Sequence, residues 1–228
     1  MISDNLALIT SRIAAASARA GRKPEEIRIV AAAKGQGREK IENALAAGIR
    51  IIGHNYLQEA HRELPEKLVH EAEFHMIGHL QKNKAGKAVE LFNVVETVDD
   101  MELAKALNRR AEALKRTVGV LIQVNLSGEP QKSGINEQEV ERLIEGIRDL
   151  PSIRLMGLMT MPPFFDDPDR ARPYFTRLRE LREKLISSEM LDREMNELSM
   201  GMSGDFEVAV EEGATLVRIG TTLFGPRH

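Results

Sequence analysis

Hydrophobic and polar positions along the chain follow two periods, and the switches between them are regular. Residues 2–20 place Leu6, Ile9, Ile13 and Ala16 on one face of a helix, with Ser3 or Asp4 positioned to cap it. The segment 27–34, IRIVAAAK, is then a short apolar run between polar stretches, as a parallel strand buried on both faces would be. A helix is predicted over 38–47, and Gly48 stands where a helix stop is usual. The alternation continues to the C-terminus. Further strands are predicted at 50–53, 73–77, 93–96, 118–124, 153–159, 196–199 and 215–219. Helices are predicted between them, at 57–72, 81–90, 100–115, 136–148, 168–188 and 203–212.

Strict strand–helix alternation implies a parallel sheet covered by helices. Eight such units in 228 residues, preceded by one extra helix, favour a closed (β/α)8 TIM barrel over an open doubly wound sheet. An open sheet would also carry a glycine-rich dinucleotide loop after its first strand, and AAAKGQG is not one. No linker, repeat or low-complexity stretch divides the chain, so residues 1–228 are expected to form one domain. The segment 160–168, TMPPFFDDP, has no helical character. It is either a lid over the active face or a packed surface loop.

Composition narrows the chemistry. With no cysteine, disulfides, thiolate metal sites and a cysteine nucleophile are excluded. The first residues interrupt their apolar positions with polar ones, unlike a signal peptide, and no apolar run reaches the length of about 18 that a membrane helix needs. A cytoplasmic protein is expected, without membrane partners. The net charge of -3 is spread over interleaved acids and bases. The pairs Arg109–Arg110 and Lys115–Arg116 lie beside Glu102 and Glu112 at helical spacing, as on a solvated helix face. There is no tryptophan and there are two tyrosines, so platforms for base stacking are scarce and no nucleic-acid partner is expected.

In a barrel the working residues gather at the C-terminal ends of the strands, and phosphate is commonly held by the loops after strands seven and eight. Strand seven leads into SMGMSGDFEVAVEEG, where Ser199, Gly201, Ser203 and Gly204 make a small turn before a helix starting near Ser203 or Gly204. A helix start with free N–H groups and a serine hydroxyl suits phosphate, although the same residues also make an ordinary cap. Strand eight leads into RIGTTLFG, where Gly220 admits close backbone approach and Thr221 opens a short terminal turn. Lys34 closes the first strand after three alanines, which leave room for a flat ligand. Desolvation there would favour the neutral amine of a Schiff-base lysine, while the plain alternative is a lysine emerging into solvent. Arg218, two residues before Gly220, shares its face. It is placed either to meet the ring nitrogen of a pyridine cofactor or to pair with Glu211 or Glu212. A guanidinium keeps its proton, so the nitrogen it meets stays unprotonated and the ring becomes a poorer electron sink. His54, His75 and His79 could converge on a metal, but HMIGH spans a strand end rather than a helical turn, and no metal site is expected. Neither G-x-S-x-G nor H-E-x-x-H occurs.

These segments resemble the pyridoxal phosphate homeostasis protein family, single-domain relatives of the alanine racemase N-terminal barrel. The resemblance is carried by VAAAKGQ around Lys34, GHNYLQEA at 53–60, HMIGHLQKNK at 75–84 and QVNLSGEPQKSGI at 123–135. GLMTMPP at 157–163 and the long run from Leu198 to Gly225 complete it. It implies an alanine racemase N-terminal-domain-like barrel with pyridoxal 5′-phosphate (PLP) held as an aldimine on Lys34. It further implies that Ser203, Gly220 and Thr221 bind the phosphate with Ser199 close by. Arg218 would face the pyridine nitrogen, and Asn55 would lie near the ring or its 3′-oxygen. Met200 and His79 match positions lining the pocket. Two positions depart from the family's usual pattern. Gln36 stands where a second lysine is common, and His54 where an acid precedes the Asn-Tyr pair. A role for a neighbouring lysine in cofactor transfer therefore has no counterpart at residue 36, which leaves Lys132 and the LQKNK stretch.

The resemblance implies a regulator of vitamin B6 and amino-acid balance, without catalytic residues of its own. A racemase needs a base on each face of the substrate Cα. In the catalytic relatives the second base is a tyrosine from an added β-domain, and this chain ends at RIGTTLFGPRH with no residues left to build one. Tyr56 and Tyr174 match no such motif. The expectation is a non-enzymatic PLP carrier, monomeric, with PLP-dependent apoenzymes as its further partners. The alternatives are a weak PLP-dependent racemase or lyase, or an interaction protein that uses PLP only as a stabiliser.

Overall fold

The computed structural model describes residues 1–63, 72–129 and 132–226. Eight parallel strands close into a barrel in chain order: β1 (Arg28–Ala32), β2 (Ile51–His54), β3 (Glu73–Met76), β4 (Val94–Val98), β5 (Val118–Gln123), β6 (Ile153–Met159), β7 (Glu197–Met202) and β8 (Leu216–Ile219). Around them lie α1 (Ile2–Arg19), α2 (Arg38–Ala46), α3 (Leu57–Glu63), α4 (Ala85–Leu91), α5 (Met101–Ala113), α6 (Val140–Arg148), α7 (Arg172–Ser187), α8 (Phe206–Glu211) and α9 (Thr221–Phe224). The expected TIM barrel and its leading helix are both present. The part of the predicted 57–72 helix beyond residue 63 lies outside the described residues.

Side-chain alternation along each strand divides the apolar residues into two layers. Val30, Ile51, Leu121, Met159 and Leu216 pack together with Ile77 in the barrel interior. The larger layer, between strands and helices, holds residues such as Ile52, Phe74, Val95, Ile122, Leu198 and Val217. Eight strands leave an interior that side chains alone fill.

The leading helix is the eighth cover of the barrel. The helix after β8 is only four residues long and cannot shield the seam where β8 pairs with β1. Helix α1 takes that place, packed along α8 and α9 with Ile9, Ile13 and Ala16 buried beneath it. Its polar side is fixed by Asn5 Nδ2 donating to Leu223 O (2.8 Å) and by ion pairs Arg12–Glu207 (2.7 Å) and Arg19–Glu211 (2.6 Å).

Several boundaries differ from expectation for identifiable reasons. Strand β1 ends at Ala32, because Lys34 and Gly35 turn away with Gly35 at φ 70°. Strand β7 runs on to Met202, past the expected end at residue 199. Gly201, read as part of a turn, sits inside β7 where its register against β8 shifts. Its φ of 89° and a would-be Cβ only 2.5 Å from Ala209 Cβ both require glycine there. Consequently α8 begins at Phe206, not near Ser203. Replacing Ile9, fully buried at the seam, with alanine should cost about 2–5 kcal/mol of unfolding free energy. Leu8→Ala on the exposed side should change it by no more than about 0.5 kcal/mol. Urea denaturation of the two variants measures the difference, and equal losses would mean that α1 does not close the seam.

Candidate functional site at the C-terminal mouth

The mouth is built from the ends of β1, β2, β3, β7 and β8. Lys34 lies on the turn after β1, half-buried, with its Nζ 5.1 Å from the centre of the Tyr56 ring. The turn is tied to α3 by Gly35 N donating to Glu59 Oε2 at 3.1 Å. Asn55, after β2, is half-buried and packs against the β3 exit, where a side chain on Gly78 would collide with Asn55 O at 2.3 Å. Asn55, Tyr56, Gly78 and His79 line an open depression of about 380 Å³. His79 is largely exposed and its Nδ1 lies 3.8 Å from Asp99.

On the adjoining side, the turns after β7 and β8 meet. Ser203 Oγ accepts from Gly220 N (3.2 Å) and Thr222 N (3.4 Å), so two backbone donors already converge on one oxygen. A Cβ on Gly220 would stand 3.5 Å from Ala32 O, which places this cradle beside the end of β1. Since β1 and β8 are hydrogen-bonded neighbours, Lys34 and the cradle rise from adjacent strands. Thr221 is exposed at the start of α9. Met200 is different: its side chain is fully buried in the layer between barrel and helices, so at the mouth it has only backbone to offer.

Beneath the mouth, four strands hold a chain of buried polar groups. Arg218 Nη1 donates to Ser199 Oγ at 2.6 Å, and Nη2 donates to Thr160 O at 2.8 Å. Ser199 Oγ donates to Glu96 Oε2 at 2.5 Å. The other oxygen of Glu96 lies 2.7 Å from His75 Nδ1, and His75 Nε2 lies 3.3 Å from Glu73 at the start of β3. Burial pushes the Glu96 carboxyl up, but the hydrogen bond and charge of His75, with Arg218 and Ser199, outweigh it and hold the group below the usual range. Burial likewise pulls His75 down, and the carboxylates of Glu73 and Glu96 reverse this and raise it. Burial lowers Arg218 against the pull of Glu96 and Asp205. A guanidinium starts so far above neutrality that it stays charged. The alternative pairing of Arg218 with Glu211 or Glu212 does not occur, since Arg172 joins those two glutamates at 2.7 and 2.9 Å. Ser199 is correspondingly engaged inside the barrel.

The three histidines do not converge. His75 faces the interior, in register with Gly53, whose Cβ would meet Val30 and Ile77. His54 therefore points outward toward the helices, and His79 is in the loop. Among the described residues no cluster of His, Cys, Asp and Glu has the arrangement of a metal site. Of the departures noted in the sequence, Gln36 is buried and accepts from Lys40 Nζ at 3.0 Å. Lys132 pairs with Glu129 at 2.9 Å. The loop 160–168 is anchored by Phe165, stacked on Tyr174 at 6.0 Å, while Phe164 projects into solvent.

Glu96 and Thr160 were not among the candidates from sequence. The available signal was a carboxylate inside an apolar strand, VVETV, which a buried parallel strand tolerates only with a partner.

A (β/α)8 barrel with a lysine and a converging pair of backbone N–H donors on adjacent strands defines the class. The chain belongs to the alanine racemase N-terminal domain family, which matches residues 5–228, and within it to the pyridoxal phosphate homeostasis proteins. It is 39% identical over 228 residues to the pyridoxal phosphate homeostasis protein of Aquifex aeolicus, covering 98% of this chain and 97% of that protein. A solved protein of unknown function from Bifidobacterium adolescentis superposes with a TM-score of 0.90 at 38% identity, covering 97% of this chain and 94% of that one. PipY of Synechococcus elongatus, solved with PLP bound, superposes with a TM-score of 0.84 at 33% identity, over 99% and 100% of the two chains. No helix among the described residues is long and apolar enough to cross a membrane.

His54 supplies a pH test. Its side chain is buried, both ring nitrogens lack a hydrogen-bond partner, and burial lowers its pKa to about 4 against a weaker opposing pull from Glu59. The unfolded chain, with His54 near 6.5, binds the proton more readily, so this contribution to stability is intact above pH 6.5 and is lost as pH falls toward 4. The loss attributable to His54 should reach about 3 kcal/mol. His54→Leu should flatten the stability profile in that window by this amount. Parallel profiles for the two proteins would contradict the assignment.

Proposed function

We propose that the chain binds PLP at the C-terminal mouth and acts in intracellular PLP and amino-acid homeostasis, without efficient turnover. The observation that carries this reading is the pairing of Lys34 with the Gly220–Thr222 donors on neighbouring strands. A lysine within reach of a phosphate cradle suits a phosphorylated aldehyde, which needs an amine and an anion seat at fixed separation. The residues fit the group on two counts. Backbone N–H groups already point at an oxygen, that of Ser203, and Gly220 keeps the space beside Ala32 open. The names of the relatives, and the PLP in the PipY structure, support the same ligand here.

In this reading Lys34 Nζ is the covalent anchor. Ser203, Gly220 and Thr221 hold the phosphate, Arg218 meets the ring nitrogen and Asn55 borders the ring, with Ser199 below. His79 and the backbone of Met200 complete the surroundings. When bound, the cofactor supplies an electron sink, which a cationic guanidinium at its nitrogen weakens by leaving that nitrogen unprotonated. Tyr174 is stacked on Phe165 and Tyr56 lies against Lys34, and neither matches the second base of the catalytic relatives, which comes from an added domain. The protein works as a monomer in the cytoplasm, and PLP-dependent apoenzymes are its recipients.

The test is the absorbance of the purified protein with PLP, before and after borohydride, followed by mass mapping. A visible band that disappears on reduction, with the adduct on Lys34, is expected; Lys34→Ala should lose both. An adduct on another lysine overturns the site. Amino-acid α-proton exchange in deuterated water at enzymatic rates overturns the non-catalytic reading.

A further inference from the structure

We propose that Glu96 is a positioning residue for Arg218, acting through the Ser199 hydroxyl and braced by His75. This rests on the reading above, in which Arg218 meets the ring nitrogen of PLP. Arg218 is buried, yet its hydrogen bonds go to a hydroxyl and a carbonyl rather than to a carboxylate. The counter-charge lies one residue further away.

Proton bookkeeping fixes the direction of the chain. The guanidinium only donates, so Ser199 Oγ must accept from Arg218. The serine's single proton then goes to Glu96 Oε2, which as a carboxylate only accepts. Glu96 Oε1 and a Glu73 oxygen face the two nitrogens of His75, so with both carboxylates ionised both nitrogens donate, an arrangement that favours the imidazolium. The charges alternate from one end to the other: Glu73 negative, His75 positive, Glu96 negative, Arg218 positive. Neighbouring charged groups are few. Asp205 acts on Arg218, and Arg28 and Arg154 act on Glu73.

The links come from four strands, β3, β4, β7 and β8, with the Thr160 carbonyl just past the end of β6. The strand framework therefore fixes the separations, and the orientation of the Ser199 hydroxyl is dictated by Glu96. An isosteric Glu96→Gln removes one acceptor and the negative charge together. The serine can then rotate, and two buried cations lose the anion between them. Ser199→Ala breaks the same link but leaves the Glu96–His75 pair in place.

The experiment combines two readouts on wild type, Glu96→Gln and Ser199→Ala. In protein without cofactor, nitrogen-15 NMR follows hydrogen exchange of the Arg218 guanidinium. Exchange should be about tenfold faster or more in both variants. In titrations with PLP, both variants should bind about tenfold more weakly or worse, with a displaced absorbance maximum. A merely space-filling network predicts folded variants with unchanged guanidinium exchange, unchanged absorbance maximum and unchanged affinity, and that result overturns the proposal. If Glu96→Gln does not fold, Glu96→Asp, which keeps the charge but withdraws the carboxylate from Ser199 Oγ, decides by the same two readouts. If wild type shows no PLP band, the cofactor reading fails, while guanidinium exchange still decides the role of Glu96.

Discussion

A guanidinium inside a closed eight-stranded barrel is the constraint that organises the interior. Eight strands leave an interior filled mainly by side chains, and Arg218 is buried there, so the protein must supply acceptors and a counter-charge. Thr160 O and Ser199 Oγ provide the acceptors, and Glu96 provides the charge. Glu96 in turn is too deeply buried to stand alone, and His75 answers it. Each polar group is tolerable because of the next, until the chain reaches half-exposed Glu73 at the floor. A buried ionic chain of this kind is weak evidence for stability, because its desolvation cost rivals its Coulombic gain. What it does secure is geometry: removing one member leaves an unpaired charge.

The outer shell has the opposite logic. Between strands and helices the packing is mainly apolar, and His54 faces that layer with no partner for either nitrogen. It is tolerated as a neutral ring, which is why its pKa falls to about 4. His75 and His54 lie on neighbouring strands yet have opposite fates. Strand alternation sends one toward carboxylates and the other toward hydrocarbon. Around the outside, α1 closes the last gap that the short α9 leaves open.

How far the sequence disclosed this depended on whether the signal was local. Strand–helix alternation is a local property, so eight strands and their intervening helices were legible from apolar runs and glycine stops. The errors cluster where a residue serves a tertiary purpose. Gly201 reads as a turn because glycine usually marks one, but its left-handed backbone serves a bulge within β7. The fourth strand, expected over 93–96, runs on to Val98, with Glu96 and polar Thr97 both buried inside the fold. Thr97 Oγ1 donates to Gly78 O at 2.8 Å, and Glu96 finds its partners on strands far away in the chain. Residues at strand ends, such as Lys34 and Gly220, could be singled out from position alone. Glu96 could not, since its meaning resides in two partners from other strands, His75 and Ser199.

The turns after β7 and β8 hold backbone donors in a fixed place. Two backbone N–H groups converge on Ser203 Oγ, which here fills the place of an acceptor oxygen. In the proposed function a phosphate oxygen would take over as acceptor, and the serine hydroxyl, released from that duty, would become a donor to the same group. The exchange costs little reorganisation because the donors do not have to move. Arg218 is preset in the same sense, since its orientation is determined from below by Ser199 and Glu96. The mouth is thus shaped mainly by the β1, β2, β7 and β8 ends, while the opposite half of the barrel contributes electrostatic balance. Fixing a ligand's surroundings on both levels favours holding it in one pose. Turnover would ask for groups that move protons on both faces of a substrate, and the proposed function assigns none of the mouth residues to that task.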